Sequence, residues 1–336
     1  MADLELTLAC WDYDLTRPLR DGAVKPDGVN LTYLTVFPAE NFQRNLQFNE
    51  FDVAEMGLKF YVNTLGLENP PYVAIPVFPV RLFRHSAIYI NRASGIRTPK
   101  DLIGKKVGEP FAYGHDGAIW PRGILSDEYG VPVDSVTYYV GAVDKTLRRD
   151  FAPFLPKNSI RVEQIGPEQT LDAMLESGEI DAFYSGIVPP SLLRGSTKIG
   201  RLFEDYRSIE RAYFAKTGIF PIMHTIAMRR DLYEKHRWLA QSLYRAFREA
   251  KAEAMAFYRR RAINLHITYG FPWLSALFDD VRETMGEDWW PYGIDANRNA
   301  IETFLRYHDE QGLSRRRITI EEMFAPETAV DYPLLG

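Results

Sequence analysis

Between Lys105 and Gly130 the chain gathers side chains that can do chemistry: a phenol at Tyr113, an imidazole at His115, a carboxylate at Asp116 and a guanidinium at Arg122. The stretch reads as a strand end at Lys106-Val107-Gly108, a loop over 113–117 and a helix running to about Tyr129, with Gly130 as its stop. A strand–loop–helix turn points backbone N–H groups outward, and the helix dipole adds partial positive charge, so an anion is its natural guest. Beside that guest stand an acid–base pair, a phenol and a guanidinium, and Gly114 and Gly117 allow close approach of a ligand. Pro121 has no N–H to give to an earlier carbonyl, which predicts that the regular helix begins at or after Ala118 or is kinked there.

No other local motif competes. The six histidines have no HxxH or HxxxH spacing and Cys10 stands alone, so neither a local zinc motif nor an internal disulfide is expected. There is no GxGxxG and no Walker loop. The net charge of −5 argues against a nucleic-acid partner. No run of 18 apolar residues predicts a membrane span. The first residues, Met1-Ala2-Asp3-Leu4-Glu5, are acidic where an export signal needs basic ones, which predicts a cytoplasmic protein if this start is the native one.

The elements that must position these groups are legible in outline. With 336 residues, two domains are expected. Leu4 to Cys10 and Val29 to Val36 read as strands, and 39–49 as a helix. One unit recurs. A helix leads to Phe51-Asp52-Val53-Ala54-Glu55-Met56-Gly57, and a helix over 168–177 leads to Ile180-Asp181-Ala182-Phe183-Tyr184-Ser185-Gly186. Two α/β lobes of similar build explain this better than one sheet. Residues 74–91, with Pro76 and Pro79, predict an extended crossing into a second lobe, and Phe220-Pro221-Ile222-Met223-His224 the return. A long helix is expected over 232–262, with Leu239, Leu243, Phe247, Ala250, Ala254 and Phe257 as its stripe, and another over 296–311.

Several stretches, in order along nearly the whole chain, resemble the 4,5-dihydroxyphthalate decarboxylase family of the type II periplasmic-binding-protein superfamily. They include Phe51-Asp52-Val53-Ala54-Glu55-Met56, Ile75-Pro76-Val77-Phe78-Pro79, Phe83-Arg84-His85-Ser86, Trp120 with Arg122-Gly123-Ile124-Leu125, Gly178-Glu179-Ile180-Asp181-Ala182, Phe220-Pro221-Ile222-Met223-His224 and Glu310-Gln311-Gly312-Leu313. The resemblance implies a two-lobed α/β fold with two crossing strands and an inter-lobe cleft. The first lobe would be 1–87 with 222–336, the second 88–221. It also implies loss of one carboxylate from a dihydroxylated aromatic diacid, to protocatechuate and carbon dioxide.

Such chemistry needs a proton donor at the ring carbon, an acceptor at the phenols and cations for the retained carboxylate. His115 is the first choice as donor, with Asp116 its neighbour; His85 and His224, at the crossings, are each as readily hinge residues as catalytic ones. His236, His266 and His308 read as ordinary helix or loop residues. Arg20, Arg81, Arg84 and Arg122 are candidates for the carboxylates. Tyr13, Tyr113 and Trp120 are candidates for the ring. Met56, Gly57 and Ser185, at the ends of the recurring strands, are further candidates for substrate contact. No cofactor is expected, and a divalent ion held across the cleft by His85, His115, Asp116 or Glu109 stays open. The partner expected is a small aromatic dicarboxylate, with no nucleic acid and no membrane, and a homo-oligomer left open. The rival hypothesis is a solute-binding protein that captures a small aromatic or pyrimidine-like anion unchanged.

Overall fold

Eleven strands in the computed structural model, which describes residues 3–146, 156, 159–265, 267 and 270–330, form two mixed sheets. In chain order they are β1 (Leu4–Cys10), β2 (Val29–Thr35), β3 (Val53–Gly57), β4 (Tyr72–Ile75), β5 (Ile88–Asn91), β6 (Lys106–Pro110), β7 (Thr137–Gly141), β8 (Arg161–Gln164), β9 (Ala182–Tyr184), β10 (Ile199–Arg201) and β11 (His224–Arg229). One sheet has the order β2-β1-β3-β11-β4, the other β10-β5-β9-β6-β7-β8. Among the described residues no helix is long and apolar enough to cross a membrane.

Contacts divide the chain into two compact units, the first comprising Met1–Val80, His224–Asn299 and Thr319–Gly336, the second Arg81–Met223 and Ala300–Ile318. The sequence reading kept 300–318 with the first unit. The helix Arg298–Glu310 overturns this, because Phe304 and Tyr307 pack on Trp120 at 6.0 and 5.6 Å and Gln311 bonds Arg122.

The recurring unit has a physical basis. β3 and β9 hold the same place in their sheets, each between a parallel neighbour (β1 or β6) and an antiparallel one (β11 or β5). The repeated aspartate does the same work in both. The Asp52 carboxylate accepts the Thr7 N–H of β1 at 2.9 Å, and that of Asp181 accepts the Lys106 N–H of β6 at 2.9 Å. Each antiparallel strand opens soon after the chain changes unit, and the two crossing segments pair at Arg81 and Ile222.

Two helices differ from expectation. The helix Asp116–Tyr129 starts before Pro121 and continues through it; the proline removes only the N–H that would meet the Gly117 carbonyl, near the first turn. The stretch 232–262 is broken, since His236 leaves helical geometry (φ −137°, ψ 63°) between Arg230–Lys235 and Trp238–Ala262. Five of its six stripe residues are buried, but Phe257 is exposed.

Candidate functional site

The loop that leads from β6 into the helix Asp116–Tyr129 is held from beneath by a buried ion pair. Arg122 Nη1 donates to Glu109 Oε1 at 2.6 Å, both side chains being fully buried, and Arg122 Nε donates to Gln311 Oε1 at 2.8 Å. The Gly114 N–H donates to the other Glu109 oxygen at 3.2 Å. The guanidinium lies over the rings of Tyr113, 4.1 Å away, and Tyr138, 5.2 Å away. Tyr113 in turn donates its hydroxyl to the Gln311 carbonyl, and burial pushes that phenol's pKa up. Trp120 is fully buried and donates Nε1–H to the Ile222 carbonyl at 2.9 Å. Arg122, Tyr113 and Trp120, expected at the substrate, are therefore committed to holding the loop. A helical position one turn in points to the core here, and the carboxylate it meets belongs to the protein.

His115 is the N-cap of the helix. Its Nδ1 accepts the Gly117 N–H at 3.1 Å, and its carbonyl accepts the Ala118 N–H at 2.9 Å. An accepting Nδ1 puts the neutral ring's proton on Nε2. Protonating the ring fully would set two N–H groups against each other. This environment suits a hydrogen-bond donor better than the proton donor expected from the sequence.

Arg84 has the surroundings that the sequence reading sought at the loop. It is buried at the start of the turn His85–Ala87, and its Nη2 donates to Met223 Sδ. Its Nε and Nη1 have no hydrogen-bond partner among the described residues. Two glycines leave room around it. A Cβ at Gly186 would lie 2.8 Å from Nη1, and one at Gly117 3.6 Å from it. Burial pushes the guanidinium's pKa down to about 10, and the charge of nearby Asp116, itself buried, works the other way. A desolvated cation with Nε and Nη1 unpartnered among the described residues, beside a glycine in a helix's first turn, can take a carboxylate as its partner.

The neighbours of Arg84 are engaged elsewhere. His85 lies among the rings of Phe203, Tyr213 and Tyr129 at 5.2, 5.3 and 6.1 Å. Burial pushes its pKa down to about 4, which makes it a neutral core residue. Arg81 donates Nη1–H to the Phe220 carbonyl at 3.0 Å and so ties the crossing segments together. Ser185 is buried, its hydroxyl accepting the Ile187 N–H at 2.9 Å. Gly186, beside it, is the residue against Arg84.

The first unit holds a different constellation, centred on Glu55. This residue sits in the middle of β3 and is completely buried. Its Oε2 accepts the Trp11 N–H at 3.0 Å; its Oε1 accepts the Tyr13 hydroxyl at 2.6 Å and faces His224 Nδ1 at 2.5 Å. Burial first, and then the Glu55 charge, pushes the pKa values of Tyr13 and Cys10 up, so both stay protonated. His224 opens β11 opposite Gly57 and packs edge-on against Phe42 at 5.0 Å. Sequence reasoning named His224 and Tyr13 but missed Glu55. The signal was present: a lone carboxylate inside the apolar strand Val-Ala-Glu-Met-Gly.

The other expected contacts are engaged within the protein itself. Arg20 forms surface pairs with Asp12 and Asp21 at 2.5 and 2.8 Å. Met56 points into the core, and Gly57 is the N-cap of the helix Leu58–Leu65. His308 is buried with Nδ1 2.7 Å from Ser314 Oγ, and His236 ends a helix, while His266 lies outside the described residues. Among the described residues no three His, Cys, Asp or Glu side chains converge to hold a metal ion. Of the four groups left open for one, Glu109 serves Arg122 and His85 its aromatic neighbours.

Comparison with known proteins gives a consistent answer. A 4,5-dihydroxyphthalate decarboxylase of Comamonas testosteroni is 32% identical over 334 residues, covering 99% of this chain and 100% of that protein. One of Pseudomonas putida is 34% identical over 205 residues, covering 61% and 79%. No family model matches the chain. Among solved structures, the periplasmic aliphatic sulphonate binding protein SsuA from Escherichia coli superposes with a TM-score of 0.54 at 15% identity, over 100% of this chain and 96% of that one. The fold is thus that of the two-lobed type II periplasmic-binding proteins.

Proposed function

The chain belongs to the 4,5-dihydroxyphthalate decarboxylase family, and on that premise we propose that it removes one carboxylate from 4,5-dihydroxyphthalate, giving protocatechuate and carbon dioxide. The end-to-end likeness to a relative of that name carries the reading. The buried Arg84, with Nε and Nη1 unpartnered among the described residues, supports it at the level of chemistry.

An aryl carboxylate does not simply shed carbon dioxide, because the aryl anion left behind is too unstable. Protonation of the ring carbon avoids that anion. The hydroxyl para to the leaving group pushes electron density onto the carbon, and a proton adds there. The carbon–carbon bond then breaks, its electron pair restores the aromatic ring and carbon dioxide departs. One proton is taken up per turnover. Arg84 holds the carboxylate that is retained, by charge-assisted N–H···O bonds. His115 Nε2–H supplies a further hydrogen bond to an oxygen of the substrate. Holding the diacid rigidly fixes which of its two carboxylates leaves.

The direct test is incubation of the purified protein with 4,5-dihydroxyphthalate and measurement of carbon dioxide and protocatechuate in equal amounts. Ligand-induced thermal stabilisation without turnover is the result that overturns this reading in favour of a binding protein.

A further inference from the structure

We infer that two copies of this chain pair through the face between Ile263 and Val281 of the first unit, with the Trp273 ring of each copy seated in an apolar pocket of the other.

The pocket is an open hollow of about 200 Å³. An engineered apolar cavity of ~150 Å³ already takes benzene, so an aromatic ring fits. Leu15, Met255 and Phe278 line it as buried residues, with Trp289 and Trp290 half-buried beside them. Its one carboxylate, Asp14, accepts the Tyr258 hydroxyl. The helix Leu274–Met285 borders the hollow with Leu274, Leu277 and Val281. Apolar residues at 274, 277, 278, 281 and 285 share one face of that helix, the pattern of a helix that covers a core. Only Phe278 among them is buried.

The residues just before this helix supply what the pocket needs. Among the described residues seven large apolar side chains are at least 70% exposed, and five of them lie between Ile263 and Trp273. Trp273 is the most exposed, at 86%, and its φ of 61° is unfavourable for so bulky a residue. With Phe257 and Leu277 added, the apolar area on offer is on the order of 800 Å², the share that one partner gives to a standard interface.

The charges favour a second copy as the occupant. Arg259 and Arg282 both pair with Glu287. Arg260 adds a cation on one helix, and Asp279 and Glu283 add anions on the other. A face of mixed sign complements its own copy turned about a two-fold axis, whereas a face of one sign repels it. Ring and pocket lie on the same chain, so one two-fold axis makes both contacts at once.

Sedimentation velocity tests this without substrate, and its outcome is independent of the decarboxylase reading. The wild type should run as a dimer at micromolar concentration. Trp273→Asp should weaken the dimer by ~10²-fold or more, because the lost contact occurs twice. Leu193→Asp, a change at a comparably exposed residue of the second unit, should leave it intact. Hydrogen exchange of the wild type needs no variant: amides over 271–281 should gain protection as the concentration rises. A wild type that stays monomeric overturns the inference. So does a folded Trp273→Asp that dimerises like the wild type, or concentration-dependent protection that spares 271–281. Flotation of the wild type with phosphatidylglycerol vesicles, lost in Trp273→Asp, would assign the face to a membrane surface and overturn it as well.

Discussion

Gly186→Ala tests the assignment of Arg84 without touching its charge. A Cβ at 186 would lie 2.8 Å from Arg84 Nη1, with Cζ and Nη2 both at 3.8 Å. To reach ordinary van der Waals contact the near end of the guanidinium must retreat by about 0.6 Å or more. A charge-assisted contact from Nη1 to a carboxylate, near 2.8 Å when well formed, is then stretched past about 3.4 Å. A hydrogen bond to a charged group contributes roughly 1.5–3 kcal/mol, so KM should rise by about 10- to 100-fold. The grip is the same in ground and transition states, and kcat should therefore change little. The fold should tolerate the methyl, because the atom displaced is the tip of a long side chain and residue 186 is exposed; urea unfolding should shift by less than about 1 kcal/mol. The measurement is initial rate of protocatechuate formation over a range of diacid concentrations. In an Arg84→Ala background the same substitution should add almost nothing. An unchanged KM in the folded variant, or a loss confined to kcat, would refute the assignment of Arg84 to the retained carboxylate.

Other substitutions probe the supports of the site. Arg122→Met strands the fully buried Glu109 without its cation and should cost about 3–5 kcal/mol in urea unfolding, while Glu109→Gln added to it should recover part of the loss. Tyr13→Phe removes the hydroxyl that donates to the fully buried Glu55 and should cost about 1–3 kcal/mol in urea unfolding. His85, buried and neutral, takes up a proton in the folded state only near pH 4, whereas the unfolded chain takes it up near the ordinary value of 6.5. Stability should be intact above pH 6.5 and fall as pH drops towards 4, by on the order of 3 kcal/mol. His85→Phe should flatten that acid limb in thermal unfolding.

What could be read from the sequence, and what could not, divides along physical lines. Local signals carried far. Gly130 and Gly178 end their helices in the left-handed conformation, and the recurring aspartates proved to tie adjacent strands together. Long-range pairing was not legible. Nothing in the spacing of Arg122 says that Glu109, thirteen positions away, and Gln311, far along the chain, will surround it. Nor does the placement of His224 announce that its partner is Glu55, separated from it by 169 positions. Arginines were judged by type alone, and type does not distinguish Arg20, satisfied by two surface carboxylates, from Arg84, buried with Nε and Nη1 unpartnered among the described residues. Burial decides that difference, and burial is a property of the assembled fold.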